Sequence, residues 1–258
     1  MGMRVIIIVI SLLGLLALLG PLIAPYDPFQ PSSTPYQGIS WHHPLGTDGL
    51  GRDILSQLLI GSRITLAISL ASSALSLVIG LIVGLASSFR SIVSQAISAV
   101  IDSFIVIPPL LIMIFIASIS GPSIYSEILA ISLSYWPQTA KTYRAEALSI
   151  FERPYVQASI AVGGNMLWII RRHVIPNMSH ITIASLTYLL GISIVSESIM
   201  SFLGLGDQRF FSWGMIFYYA FIQGAIYYGL WQWILAPALI ITLVVYVLFK
   251  STEDLLAR

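Results

Sequence analysis

These 258 residues include no cysteine, so disulfides, thiolate nucleophiles and cysteine-based metal sites are excluded. Charge is scarce too. Asp, Glu, Lys and Arg make up 9% of the chain against 57% apolar residues, where soluble domains carry about 25% charged residues. The formal net charge is +1, which gives no reason to expect nucleic acid as a partner. Lysine occurs twice, as Lys141 in AKT and Lys250 in FKS. Neither follows a glycine, so the Gly-Lys-Ser/Thr loop that cradles nucleotide phosphates is missing. His42 and His43 are neighbours in a Pro-rich loop, and adjacent residues do not share a helix face; a two-His metal site is not expected there. No Ser/His/Asp or paired-carboxylate arrangement stands out. The sequence therefore predicts no catalytic residue, no metal ligand and no cofactor held by this chain.

What the chain has instead is long apolar runs. They predict an all-α integral membrane protein with six transmembrane helices. Residues 1–26 form a first span, read as retained because the uncharged run from Val5 to Tyr26 outlasts a signal-peptide core of about 7–15 residues. Residues 27–62, rich in Pro, Gly and Ser, form an outer loop. Asp48, Arg52 and Asp53 near its end read as an ordinary solvated cluster. The core, 63–250, holds five spans near Ile64–Ala86, Ala96–Ala117, Ile124–Thr142, Met178–Phe202 and Trp233–Phe249. Gly80 and Gly84 form a G-x-x-x-G pair that points to close helix packing. Asp102 precedes Pro108-Pro109, which break or kink the third span. Glu127 lies near the outer end of the fourth span, and Glu197 lies within the fifth. An embedded carboxylate is a functional candidate by default. Asp102, Pro108 and Glu197 are therefore candidates for a path or gate. Residues 201–232 read as an outer interfacial segment: Phe210 to Trp233 holds 11 aromatics, and Trp and Tyr favour the membrane interface. Residues 251–258 form a short charged tail.

Eight ionisable side chains fall from Lys141 to His173, seven of them within a predicted loop at 143–177. There Pro154 can start a helix that Gly163 and Gly164 end, too short to cross a membrane. Asn165 can cap a second short helix, with Arg171, Arg172 and His173 in its last turn and Pro176 as its stop. Two short helices outside the bilayer, joined at glycine, form a place for a soluble protein to dock. Nine basic residues share the side of this loop and the termini: Arg4, Arg90, Lys141, Arg144, Arg153, Arg171, Arg172, Lys250 and Arg258. Arg52, Arg63 and Arg209 lie on the other side. The excess of positive charge places both termini and the docking loop in the cytoplasm.

This stretch resembles the EAA loop of ABC-importer permeases, whose pattern is Glu-Ala-Ala, three residues, Gly, nine residues, Ile-x-Leu-Pro. Gln157-Ala158-Ser159, Gly163 and His173-x-Ile175-Pro176 fall at that spacing. Gln157 replaces the usual Glu, Ser159 the second Ala and His173 the Ile. The stretches HPLGTDGLGRDILSQLLIGSRITL, ESIMSFLGLG and SWGMIF resemble signatures of the dipeptide/oligopeptide/nickel branch, in its second permease subunit.

The resemblance implies the type I importer permease fold and an alternating-access mechanism. It implies a second homologous permease, two cytoplasmic ABC ATPase subunits that bind ATP and Mg, and an extracytoplasmic solute-binding protein. The helix near 154–163 is then the coupling helix. Tyr155, Val156 and Ala158 are expected as apolar contacts, Glu152, Arg153 and Arg171 as a polar rim, Gln157 as part of the motif, and Gly163 as the sharp exit. The cargo is a peptide or similar small solute, with oligosaccharide among the alternatives. A proton-coupled carrier using Asp102 and Glu197, and an assembly subunit with no conduit, are the rival readings.

Overall fold

The computed structural model describes residues 2–89 and 91–256. Arg90 and Arg258, counted above for orientation, lie outside the described residues. Among the described residues the regular structure is helical, with one isolated bridge, Thr47 to Asp53. The elements are α1 (Gly2–Ile23), α2 (Ile54–Ala86), α3 (Ile92–Val106), α4 (Pro109–Ser120), α5 (Ile124–Phe151), α6 (Pro154–Ala161) and α7 (Met166–Ile169). A π-turn (Ile170–Val174) leads into α8 (Ile175–Asn177), α9 (Ser179–Phe202), α10 (Trp213–Ile222) and α11 (Trp231–Leu256).

Helix α2 is the centre of the bundle and lies against α5, α9 and α1. Its small residues permit this. A Cβ on Gly80 would sit 2.6 Å from the Thr139 side chain, and one on Gly84 would sit 2.6 Å from the Ala140 carbonyl oxygen of α5. The G-x-x-x-G pair is a packing seam, as expected. Helix α2 starts ten residues before the expected span because Asp53 caps it, its carboxylate accepting from Ser56 N at 2.8 Å. The Asp48, Arg52 and Asp53 cluster is not solvated. Asp48 and Asp53 are fully buried, and a buried carboxylate needs partners. Arg52 Nε and Gln57 Nε2 donate to Asp48 at 2.6 and 2.8 Å, and His43 Nδ1 pairs with Asp53 at 2.8 Å.

Pro108-Pro109 breaks the third span rather than kinking it. Ile107 is driven extended (ψ 123°) ahead of Pro108, and Pro109 opens α4. Helices α3 and α4 meet at 90°. Three helices (α2, α9 and α11) are long and apolar enough to cross a membrane, or up to four if the bent pair is one span. The count of six needs α1 and α5 as well. They have the length, 22 and 28 residues, but α5 carries Lys141, Arg144 and Glu146 in its last turns. Helix α10, with ten residues, is too short to span. Helix α11 continues to Leu256, so the charged tail from Ser251 is part of that helix.

Two ends of the bundle result. One gathers the loops around 24–53 and 203–212. The other carries α6 and α7, where Tyr143, Ala147, Ile150, Val156, Ile169, Val174 and Met178 form a small apolar core of their own.

Candidate functional site

The elbow between α5 and α9 is built around two prolines, two glycines and a histidine. Helix α5 stops at Phe151, with Glu152 as its C-cap. Arg153 is extended, which the following proline enforces, and Pro154 opens α6. Eight residues later the chain closes a Schellman turn. Gly164 N donates to Ser159 O and Gly163 N to Ile160 O, both at 3.0 Å, while Gly163 adopts φ +82°. That left-handed conformation is why glycine stands there. Asn165 then caps α7, its side chain accepting from Leu167 N at 2.9 Å.

Helix α6 has a rooted face and a free face. Val156 is fully buried beneath α5 and α7, so it anchors the helix and cannot be an outward docking contact. It was expected on the free face; the turn of α6 places it inward, one residue from Tyr155. Tyr155 and Ala158 do face outward. The His173 ring stands edge-on to both Tyr155 and Trp168, with centroids 5.6 and 5.2 Å away. It thus ties α6 to the π-turn. Gln157 spends its amide locally, donating to the Phe151 carbonyl at 2.6 Å. Glu152 and Arg171 are exposed, Arg153 is partly so, and among the described residues none of the three forms an ion pair. Beside Glu152 and Gln157 a cavity of 340 Å³ opens between Phe89, Phe151 and Met166. Val162, Leu167 and Trp168, which sequence reasoning did not single out, are exposed by 86, 70 and 53%. Their exposure at the same end extends the apolar surface beyond α6.

Pro176 does not stop the second short helix. The chain runs from α7 through the π-turn and α8 into α9 with helical dihedrals at Ile170, Val174 and Ile175. A proline in a helix lacks its own N–H and crowds the carbonyl four residues back. The wider π register just before Pro176 accommodates it. The elbow is therefore one free helix, α6, followed by a helical run from α7 to α8 that only the turn at Met178 separates from α9.

The gate candidates lie apart from the elbow and from one another. Asp102 pairs with Lys141 at 2.9 Å, both side chains more than half exposed. Pro108 sits at the corner between α3 and α4. Glu197 is fully buried near the other end of the bundle. Ser201 Oγ donates to its Oε1 at 2.9 Å and lies 3.4 Å from Glu127 Oε2. Asp207 N donates to Glu127 Oε1 at 3.2 Å. The sequence showed each glutamate but not their meeting, since 70 residues separate them. On the loop itself the Arg209 guanidinium, donating to Asp207 at 2.6 Å, holds the Asp207 carboxyl below the usual carboxylate range.

Comparison with known proteins agrees with this geometry. Residues 76–258 match the family described as "Binding-protein-dependent transport system inner membrane component". A protein of Brucella suis biovar 1, provisionally named a peptide transport system permease, is 32% identical over 243 residues, covering 93% of this chain and 81% of that protein. The dipeptide transport system permease protein DppC of Bacillus subtilis is 30% identical over 212 residues, covering 81% and 66%. In fold, the inward-facing MetNI methionine ABC transporter aligns with TM-score 0.61 at 19% identity, over 77% of this chain and 96% of that one. The bundle is thus the all-α fold of type I importer permeases, and the chain belongs to the binding-protein-dependent transport system inner membrane component family.

Proposed function

We propose that this chain is one permease subunit of an ATP-driven importer, forms half of the translocation path for peptides or similar small solutes, and is driven through α6. The observation that carries the coupling role is the division of α6: Val156 roots it in the bundle while Tyr155 and Ala158 face out. A second permease of like fold completes the path, two ABC ATPase subunits bind ATP and Mg, and an external solute-binding protein delivers the cargo. The names of the Brucella and Bacillus relatives support a peptide cargo. The basic residues gathered at the α6 end support a cytoplasmic position for that end and for both termini.

In this mechanism closure of the ATPase pair moves α6. Val156 passes the displacement to Tyr143 and Ile150, and His173 passes it towards α9. The two states of the permease differ in what α6 contacts, which is what any ligand-driven switch requires. A proton-coupled carrier is not favoured. Asp102 is bound to an exposed lysine, while Glu197 sits among hydroxyls at the other end.

The test is co-expression with the neighbouring subunits. Two ATPases co-purify, and solute-loaded binding protein stimulates ATP hydrolysis. Gly163→Asp sets a carboxylate on the exposed end of the docking helix; through that charge rather than backbone strain it abolishes transport and leaves membrane insertion intact. Coupled transport retained by the purified Gly163→Asp complex refutes the role given to α6.

A further inference from the structure

Between α5, α9 and the last turns of α11 lies a cavity of 320 Å³ whose walls include Tyr135, Gln138, Thr142, Ser185, Tyr188 and Thr252. No charged side chain lines it. Its depth matters. At 1.5 Å per residue, Gln138 lies about 21 Å along α5 from Ile124, and Ser185 and Tyr188 lie about 9 and 14 Å along α9. Ser185 and Tyr188 thus lie within α9, a helix long and apolar enough to cross a membrane, where no lipid group can satisfy a hydroxyl, and Gln138 of α5 shares the same cavity. Yet the Gln138 amide, the Ser185 hydroxyl and the Tyr188 hydroxyl have no hydrogen-bond partner among the described residues, and Gln138 and Tyr188 are exposed. Such groups must meet water or a polar solute. The two rings are held ready: Tyr135 Oη is hydrogen-bonded to Ser196 Oγ at 2.8 Å, and Tyr188 stacks on Phe249 with centroids 5.6 Å apart.

We infer that this cavity is a wet, solute-facing wall of the translocation path. Its unpaired amide and hydroxyls recognise uncharged hydrogen-bonding groups, above all the backbone amides of a peptide. The inference rests on the permease reading above and adds the contact residues and the chemistry they select. An amide such as Gln138 offers both a donor and an acceptor, which matches a peptide unit whatever its side chains. The absence of fixed charge leaves acidic and basic side chains of the cargo undistinguished.

The chain's lack of cysteine makes the test direct. Gln138→Cys, Ser185→Cys and, as an exposed apolar control on α11, Leu239→Cys are placed singly in the whole complex with its ATPases, in nanodiscs without nucleotide. A water-soluble charged maleimide is the probe. Gln138→Cys and Ser185→Cys are labelled at least about tenfold faster than Leu239→Cys, and millimolar trialanine slows them while maltotriose does not. A Gln138→Leu complex transports trialanine with half-saturation raised about tenfold, the worth of one lost hydrogen bond. Labelling at Gln138 and Ser185 no faster than at Leu239, in a complex whose ATPase still responds to solute, overturns the wet wall and leaves the permease reading standing. Protection by maltotriose alone, or by neither solute, overturns the selection of peptide amides. Failure of any ATPase to co-purify overturns the permease reading and this inference with it.

Discussion

Two substitutions at the elbow act on one equilibrium, the seating of α6 against the bundle. Val156 is fully buried, and Val156→Ala removes two methyl equivalents, about 1.6 kcal/mol at 0.8 per group, or about fifteenfold in population. Gly163 holds φ +82° with nothing within 4 Å of an added Cβ. Gly163→Ala therefore meets no neighbour and pays only in backbone strain, about 1–2 kcal/mol, which is relieved when α6 leaves its seat. Because both changes favour the unseated state, the double variant shifts the balance by about 3 kcal/mol, roughly 150-fold. Hydrogen exchange of the amides of Ala158, Ser159, Ile160 and Ala161 reads this population directly. Each single variant speeds exchange by about tenfold and the double by about a hundredfold, with solute-stimulated ATP hydrolysis lost in the double first. Gly163→Asn has a smaller effect than Gly163→Ala, since asparagine tolerates the left-handed region. Unchanged exchange in Val156→Ala refutes the anchor. A double variant no faster than the faster single refutes the shared equilibrium.

Further outcomes follow from other parts of the bundle. Gly84→Val drives a side chain into the Ala140 carbonyl and Tyr143 and lowers the thermal midpoint in detergent by the cost of overpacking, about 1–3 kcal/mol; Gly14→Val, where nothing lies within 4 Å, leaves it unchanged. Asp53→Ala removes the cap of α2 and the partner of His43, destabilising the complex by about 1–2 kcal/mol in the same assay. Asp102→Asn breaks an exposed pair worth at most about 1 kcal/mol, so ATP-driven transport persists; its loss would revive the proton-coupled reading. Arg209 lowers the Asp207 carboxyl, so the stability this pair gives the 203–212 loop is present above the unfolded carboxylate range and is lost as pH falls through the lower folded value. Limited proteolysis across that range reads it, and Arg209→Ala moves the onset of cleavage to higher pH.

Much of this arrangement was legible in the residues. Proline before α6, glycine after it and asparagine ahead of α7 are local signals, and each lies where its backbone preference puts it. The G-x-x-x-G seam was legible for the same reason. What the sequence hid was long-range. Val156 reads as an exposed apolar residue until the core formed by Tyr143, Ile169 and Val174 closes over it. Asp48 and Asp53 read as loop charges until His43, Arg52 and Gln57 fold round them. Pro176 reads as a stop because its usual effect on an α-helix is to end it, and the π-turn that absorbs it leaves no signature in composition.

That π-turn carries the chain past Pro176, and only the turn at Met178 separates α8 from α9, which reaches the buried glutamates. From Ser179 to Glu197 α9 measures about 27 Å at the usual helical rise. A tilt of about 5° swings the tip of a helix of that length by roughly 2.4 Å, enough to break a hydrogen bond. A nudge at the elbow end of α9 would then be felt as a broken contact between Ser201 and the buried glutamates at its far end.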